Sequence, residues 1–180
     1  MKSLQGQLLV SSSGLFDPNF RHTVVLVGQH TADGALGVVL NRPFEATVAE
    51  AVPVLADLVP AGEKVFEGGP VQPGSPILVA ELTHPAMADL PVFGPIGFLT
   101  GEVSDDQRRD VIRARIFAGY SGWGPGQLEE EMAQDAWVLD PARVEDVFTP
   151  DPDALWRTVL KRMGGEFEVM SRVPFDPTMN

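Results

Sequence analysis

Short apolar runs separated by turn residues open the chain. Gln7 to Val10, His22 to Val27 and Ala35 to Leu40 are rich in Val and Leu and predict three strands. Asp17-Pro18-Asn19 and Ala32-Asp33-Gly34 punctuate them, and the Asp33-Gly34 pair predicts a hairpin between the second and third. Val24 to Val27 is apolar without a break, which predicts a strand buried on both faces and therefore a sheet covered on both sides, with helices as the expected cover. Thr47 and Glu50 then form a T-x-x-E capping box ahead of Val48, Val52, Leu55 and Val59 at helical spacing. Pro53 breaks that pattern into two short turns or a kinked helix, ending before Pro60 and Gly62.

Lys64 to Glu67 and Ile77 to Leu82 read as strands on either side of a turn at Gly68-Gly69-Pro70, with a further strand through Phe98 and Leu99. A second capping box, Ser104 with Gln107, opens a short helix through Asp110. Arg113 to Tyr120 alternates, with Ile116 and Ala118 on one face, and delivers the chain into Gly119-Tyr120-Ser121-Gly122-Trp123-Gly124-Pro125-Gly126, which reads as a tight turn pinned by its two aromatics. Gln127 to Gln134 is expected to be helical, with Leu128 and Met132 inward and Glu129, Glu130 and Glu131 favoured by the helix dipole. A short strand follows at Ala136 to Leu139. The last helix has Asp151 as N-cap, Pro152 at its first position, a stripe of Leu155, Val159 and Met163, Lys161 and Arg162 in the final turn and Gly164 as its stop. Strands before and between helices, without regular alternation, predict an α+β domain with a mixed β-sheet flanked by helices. No repeat or linker divides residues 1–180, so one domain is expected.

Composition narrows the function classes. The 25 acidic residues against 13 basic leave a net charge of −12, which repels a phosphate backbone and argues against direct nucleic-acid binding. There is no cysteine, so disulfides, thiolate nucleophiles and Cys-type zinc sites are excluded. The first 20 residues carry one early lysine and only a brief apolar run, too short for a secretory signal or a membrane span, so a cytoplasmic protein with no membrane partner is expected.

Candidate chemistry is sparse. Gly119-Tyr120-Ser121-Gly122-Trp123 falls one residue short of the G-x-S-x-G nucleophile elbow, and nothing marks His22, His30 or His84 as its base; a hydrolase using Ser121 or a His-centred site is therefore the alternative reading. No two of the three histidines share helical i, i+4 spacing, so no metal or cofactor is expected. A glycine-rich turn before a helix can cradle phosphate, but this one lacks a Lys and is followed by three glutamates. Arg108, Arg109, Arg113 and Arg115 are interleaved with Asp105, Asp106 and Asp110 and read as a solvated helix face. Asn41, Arg42, Glu67, Gly68, Gly69, Tyr120, Ser121, Trp123 and Gln127, polar or aromatic residues and glycines at the turns, form the candidate binding surface for an unknown protein partner or small ligand. Their alternative role is to satisfy turn backbone, with Arg42 paired to a carboxylate.

Asp17 to Phe20 (DPNF), the run H-x-x-D-G-A-L-G-V-V-L-N-R-P from His30 to Pro43, EGGPV from Glu67, GYSGWGPGQLEEE from Gly119, Ala136-Trp137 and DPDALW from Asp151 together resemble the AlgH/YqgE family of bacterial proteins, in order and over nearly the whole chain. The resemblance implies an α+β domain with a mixed sheet flanked by helices. For function it implies less: the family has no established biochemical activity, its name comes from a proposed role in regulating alginate production, and members carry the label of transcriptional regulator. Relatives usually have a Leu-His pair on the strand after the GGPV turn where this chain has Val79-Ala80, so a site built on that histidine is not implied here. The expected function is a non-enzymatic regulatory or interaction domain, with direct DNA binding as a second alternative that no basic recognition helix supports.

Overall fold

The computed structural model describes residues 2–12 and 21–174; the DPNF segment and its predicted turn lie outside them. Ten strands occur among the described residues: β1 (Gln7–Ser11), β2 (Val24–Thr31), β3 (Gly34–Val39), β4 (Pro43–Thr47), β5 (Lys64–Glu67), β6 (Val71–Leu82), β7 (Leu90–Phe93), β8 (Ile96–Thr100), β9 (Val111–Trp123) and β10 (Trp137–Pro141). The helices are short: α1 (Val48–Ala51), α2 (Asp105–Asp110), α3 (Gln127–Ala133), α4 (Val144–Val147), α5 (Leu155–Met163) and α6 (Glu166–Met170). Three 3-10 turns, at Pro53–Leu58, Pro85–Met87 and Pro152–Ala154, each begin on a proline.

The strands form one sheet ordered β10-β1-β2-β3-β9-β6-β8-β7, with β5 beside β9 and β4 beside β5. Every pairing among the described residues is antiparallel except β5 with β9, where Phe66 faces Phe117 and Glu67 faces Ala118, so the sheet is mixed. β9 is the spine. Along one side it pairs with β6; on the other its middle pairs with β5 and its end with β3, at Ala35↔Trp123 and Gly37↔Ser121.

Alternation along the strands builds three cores. Leu8, Val10, Val24, Leu26, Val38 and Leu40 from one half of the sheet meet Phe66, Ile77, Val79, Phe98 and Phe117 from the other, so the sheet bends over a shared cluster that Leu155, Trp156, Val159 and Leu160 of α5 close. Gly28 marks where the halves touch. It is the unpaired residue of a bulge in β2, and a Cβ there would come within 2.3 Å of the Phe98 ring. On the reverse side Leu9, Val25, Val27 and Val39 pack with Trp123, Trp137 and Leu128 of α3. Leu78, Ala80, Ala114 and Ile116 pack under Val48 and Leu55. Val24 to Val27 is thus buried on both faces, as its continuous apolarity predicts.

Both capping boxes form: Thr47 with Glu50 and Ser104 with Gln107. Three expectations need correction. The glycine-rich stretch is not one tight turn, because β9 continues through Trp123 and only 124–126 leave the sheet; cross-strand pairing with β3 and β6 overrides the local turn signal. Asp151 makes no side-chain cap, since Pro152–Ala154 is a 3-10 turn and α5 starts only at Leu155. Arg113 and Arg115 belong to β9 rather than to a solvated helix face. Arg115 is buried, with its guanidinium on Glu63, on the Val147 carbonyl and over the Phe66 ring. Burial pulls its pKa below the ordinary arginine value and the Glu63 carboxylate opposes that.

Candidate functional site

The glycine-rich segments around Gly68 and Gly119 form a seam between two grooves. Gly68-Gly69 leaves β5 against the bend of β9, so closely that a Cβ on Gly68 would lie 2.2 Å from the Gly119 carbonyl oxygen and one on Gly69 would lie 2.2 Å from the Tyr120 carbonyl carbon. Gly119, at φ +73, would likewise strike the Gly69 and Val71 carbonyls. Backbone meets backbone here, and only glycine fits. Ser121 is fully buried within the seam and its hydroxyl donates to the Gly68 carbonyl at 3.2 Å. Of the candidate binding surface, Gly68, Gly69 and Ser121 therefore hold the fold together, and burial takes the Ser121 hydroxyl out of reach of a substrate.

Trp123 and Gln127 are also tied inward. Glu131 of α3 accepts both indole N–H groups, from Trp123 at 3.0 Å and Trp137 at 2.8 Å, and its second oxygen accepts from the Gln127 amide at 3.0 Å. Gln127 in turn accepts from the Gly124 N–H. One carboxylate thus clamps α3 onto the sheet, a role that the run of three glutamates at a helix start did not reveal.

The first groove, of about 630 Å³, is where Asn41, Arg42 and Glu67 meet. Arg21, Lys64 and Arg157 join Arg42 around it, so four of the chain's 13 Lys and Arg side chains converge on one cavity, with Glu45, Glu67 and Asp153 also in its wall. Lys64 and Glu45 pair at 3.6 Å across the β4–β5 edge. Arg42 donates to the Arg21 carbonyl at 3.2 Å and to the Thr23 hydroxyl at 2.8 Å, while Asn41 accepts from Val24 N–H and donates to the His22 carbonyl. These bonds fix His22 outside the strand that its apolar neighbours predict, at φ +49, a left-handed conformation unusual for a side-chain-bearing residue. Its ring stacks on Trp156 at 3.7 Å and 9°. Burial, then the charges of Arg157 and Arg21, push the His22 pKa down to about 4, so the ring is neutral at pH 7. Neither His22, Lys64 nor Arg157 is conspicuous in sequence, because chain positions as far apart as 21 and 157 supply this wall.

The second groove holds Tyr120. One lobe, about 410 Å³, lies between the β2–β3 hairpin and the end of β9; the other, about 430 Å³, lies beside residues 72–76 of β6, and both share Leu36 and Tyr120. The nine candidate residues are thus not one surface: Asn41, Arg42 and Glu67 line the first groove, Tyr120 and Trp123 the second, and Gly68, Gly69, Ser121 and Gln127 line neither.

The remaining histidines sit elsewhere. His30 Nδ1 accepts from the Leu4 N–H at 2.9 Å, which leaves the proton on Nε2 to donate to Glu129 at 2.5 Å. His84 presents its ring to solvent and bonds Asp110 through Nδ1 at 2.6 Å; that bond is the main reason the Asp110 carboxyl lies below its ordinary pKa. No group of three His, Asp or Glu able to hold a metal occurs among the described residues.

With this geometry in hand, likeness to known proteins can be read. The AlgH-like family model (DUF179) matches residues 8–168. The UPF0301 protein SCO2948 of Streptomyces coelicolor is 41% identical over 187 residues, covering 100% of this chain and 97% of that protein. The UPF0301 protein of Thermobifida fusca is 38% identical, covering 99% of this chain and 96% of its own length. Among solved structures, the AlgH protein of Pseudomonas aeruginosa superposes with a TM-score of 0.74 at 27% identity over 95% of this chain and 94% of that one. Protein DIP2367 of Corynebacterium diphtheriae gives a TM-score of 0.85 at 24% identity, with 95% of this chain and 92% of that one covered. A mixed sheet with helices over it is the fold these solved structures share, and the chain belongs to the AlgH-like family.

Proposed function

We propose that this protein is a non-catalytic regulatory domain of the cytoplasm that binds a small anionic ligand, a phosphate or carboxylate bearer, in the groove around Arg42. The observation that carries this reading is the convergence of Arg21, Arg42, Lys64 and Arg157 on one cavity of a chain whose net charge is −12. Low-dielectric walls concentrate their field. Burial first, and then the charges of Arg157 and Arg21, hold the His22 ring inside the groove in its neutral form. Such a ligand would meet the cationic side chains of this wall, and the stacked His22–Trp156 rings beside them.

Regulation on this reading passes through the ligand and a protein partner rather than through contact with DNA. Arg108 and Arg109, the basic residues of α2, are engaged by Asp57 and Asp106, and the overall charge opposes a polyanion. The label of transcriptional regulator fits only in that indirect sense. The hydrolase alternative is disfavoured by the burial of Ser121 and by its bond to the Gly68 carbonyl.

The test is melting and calorimetric titration with pyrophosphate, citrate and AMP, on wild type, on Arg42→Ala and on Arg109→Ala as a surface control. A ligand at about 100 times its Kd stabilises by about 2.7 kcal/mol, a rise of roughly 5–10 °C in a chain of this size. At least one anion is expected to do this for wild type and for Arg109→Ala, and to fail with Arg42→Ala. No shift with any of the three, or an equal shift in Arg42→Ala, contradicts the proposal.

A further inference from the structure

The groove that holds Tyr120 contains two glycines for which the fold has no use. Gly34, Gly68, Gly69 and Gly119 are each explained by a backbone atom that a Cβ would strike. Gly122 and Gly74 are not: a Cβ on Gly122 would meet only Tyr120 Cε2 and Val71 Cγ2 at an ordinary 3.7 Å, one on Gly74 would meet nothing within 4 Å, and neither residue has a left-handed φ. Glycine inside a strand costs about 0.5–1 kcal/mol against alanine. Both glycines line this one groove, Gly122 in one lobe and Gly74 in the other. What they provide is bare backbone on its floor, where another chain can approach closely.

Other features of the groove point the same way. Between the pairs Val71↔Tyr120 and Pro76↔Ala118, residues 72–75 of β6 stand opposite the single residue Gly119, a large bulge that raises the wall of one lobe. Gln72 in that bulge is held at φ +47, a conformation that costs a non-glycine residue about 1 kcal/mol. The Tyr120 hydroxyl makes no hydrogen bond among the described residues. Asp33 is the single charged side chain among the residues lining the two lobes, and exposed Glu102 follows Gly101 at the far lobe.

We propose that the two-lobed groove over Tyr120 docks an extended, lysine- or arginine-bearing segment of a partner protein. Alternate side chains of an extended segment stand roughly 7 Å apart on one face, so successive ones can enter the lobes on either side of Tyr120. Its backbone runs over Gly122 and Gly74, and its cation meets Asp33. The −12 charge of the chain favours the same basic partner and disfavours a second copy of itself. This inference does not rest on the anion groove.

A displayed dodecapeptide library selected on the intact protein tests it. The leading peptide is synthesised with a fluorophore and titrated by anisotropy against wild type, Gly122→Val, Asp33→Lys and Arg42→Ala. Enriched sequences are expected to carry Lys or Arg. Affinity is expected to fall about tenfold or more in Gly122→Val and in Asp33→Lys, and to be unchanged in Arg42→Ala. Gly122→Val is expected to melt no lower than wild type does. Failure to enrich any sequence, enrichment of acidic ones, or equal binding by Gly122→Val and Asp33→Lys overturns the proposal. So does a Gly122→Val protein that melts well below wild type, because the glycine would then serve the fold.

Discussion

Two grooves flank the same glycine seam, and they are furnished in opposite ways. The groove around Arg42 is lined by four cations and three carboxylates, Lys64 being paired with Glu45, and Arg42 bonds a backbone carbonyl and a hydroxyl. The groove over Tyr120 has no cation in its lining, one carboxylate, and two glycines, Gly74 and Gly122, where a Cβ would fit without a clash. Each contains one of the three non-glycine residues at positive φ among those described, His22 in the first and Gln72 in the second; the third, Asp135, follows the end of α3. Left-handed strain at a helix end is ordinary, whereas strain in a groove wall accompanies binding sites. The difference teaches that charge and shape were allotted separately, the first groove suited to a small anion and the second to a chain. What connects them is short: Glu67 lines the first, Gly68 and Gly69 follow it, and they press on Gly119 and Tyr120, which lines the second.

Breaking the seam gives the largest effect. Gly119→Ala forces a Cβ to within 2.5 Å of the Gly69 carbonyl at φ +73, and a loss of about 3 kcal/mol or more is expected in denaturant unfolding, with both grooves disabled together. Loss of one groove alone would show that the seam does not join them.

Loosening one wall sharpens the comparison. Glu131→Ala removes the acceptor of two indole N–H groups and is expected to cost about 2 kcal/mol, or roughly 4–8 °C of melting temperature. Its effect on binding is expected at the Tyr120 groove, where Trp123 forms part of the wall, and not at the Arg42 groove. Arg42→Ala does the reverse: a loss of about 1 kcal/mol or more as its bonds to the Arg21 carbonyl and the Thr23 hydroxyl go, and loss of anion binding with peptide binding intact.

A pH dependence is expected from the first groove. The folded His22 pKa is depressed from 6.5 to about 4, so between those values the unfolded chain binds a proton that the folded chain does not. Stability is therefore expected to fall as pH drops from about 6.5 towards 4, and to fall less steeply in His22→Gln. Parallel curves for the two proteins would show that burial and the charges of Arg157 and Arg21 do not hold the His22 ring neutral. The smallest effect is at the second groove: Gly122→Val is expected to raise unfolding free energy by about 0.5 kcal/mol.

Much of the fold was legible along the chain. Two capping boxes, the Asp33-Gly34 hairpin and the unbroken apolarity of Val24 to Val27 are local signals, and local physics decided those elements. Gly119 to Trp123 misled because glycine and proline signal turns when read locally, while here the glycines answer to a strand and a diglycine crossing close by, which no local pattern encodes. β7, with Pro91 inside it, and α6, which buries no residue fully, carried too little pattern to be seen. The site divides in the same way. Arg42 and Tyr120 stand out as polar or aromatic residues beside turns, but the cavity around Arg42 exists because Arg21, Lys64 and Arg157 arrive from three distant parts of the chain. Gly74 and Gly122 are distinguished from the seam glycines only by what surrounds them in space.

The most direct measurement follows the His22 imidazole by NMR through an acid titration, first alone and then with saturating pyrophosphate. Without ligand the midpoint is expected near 4. An anion seated between Arg157 and Arg21 offsets their charge and favours the protonated ring, so the midpoint is expected to rise on binding, and to stay low in Arg42→Ala. A midpoint that pyrophosphate leaves in place would contradict the assignment of this groove to an anionic ligand.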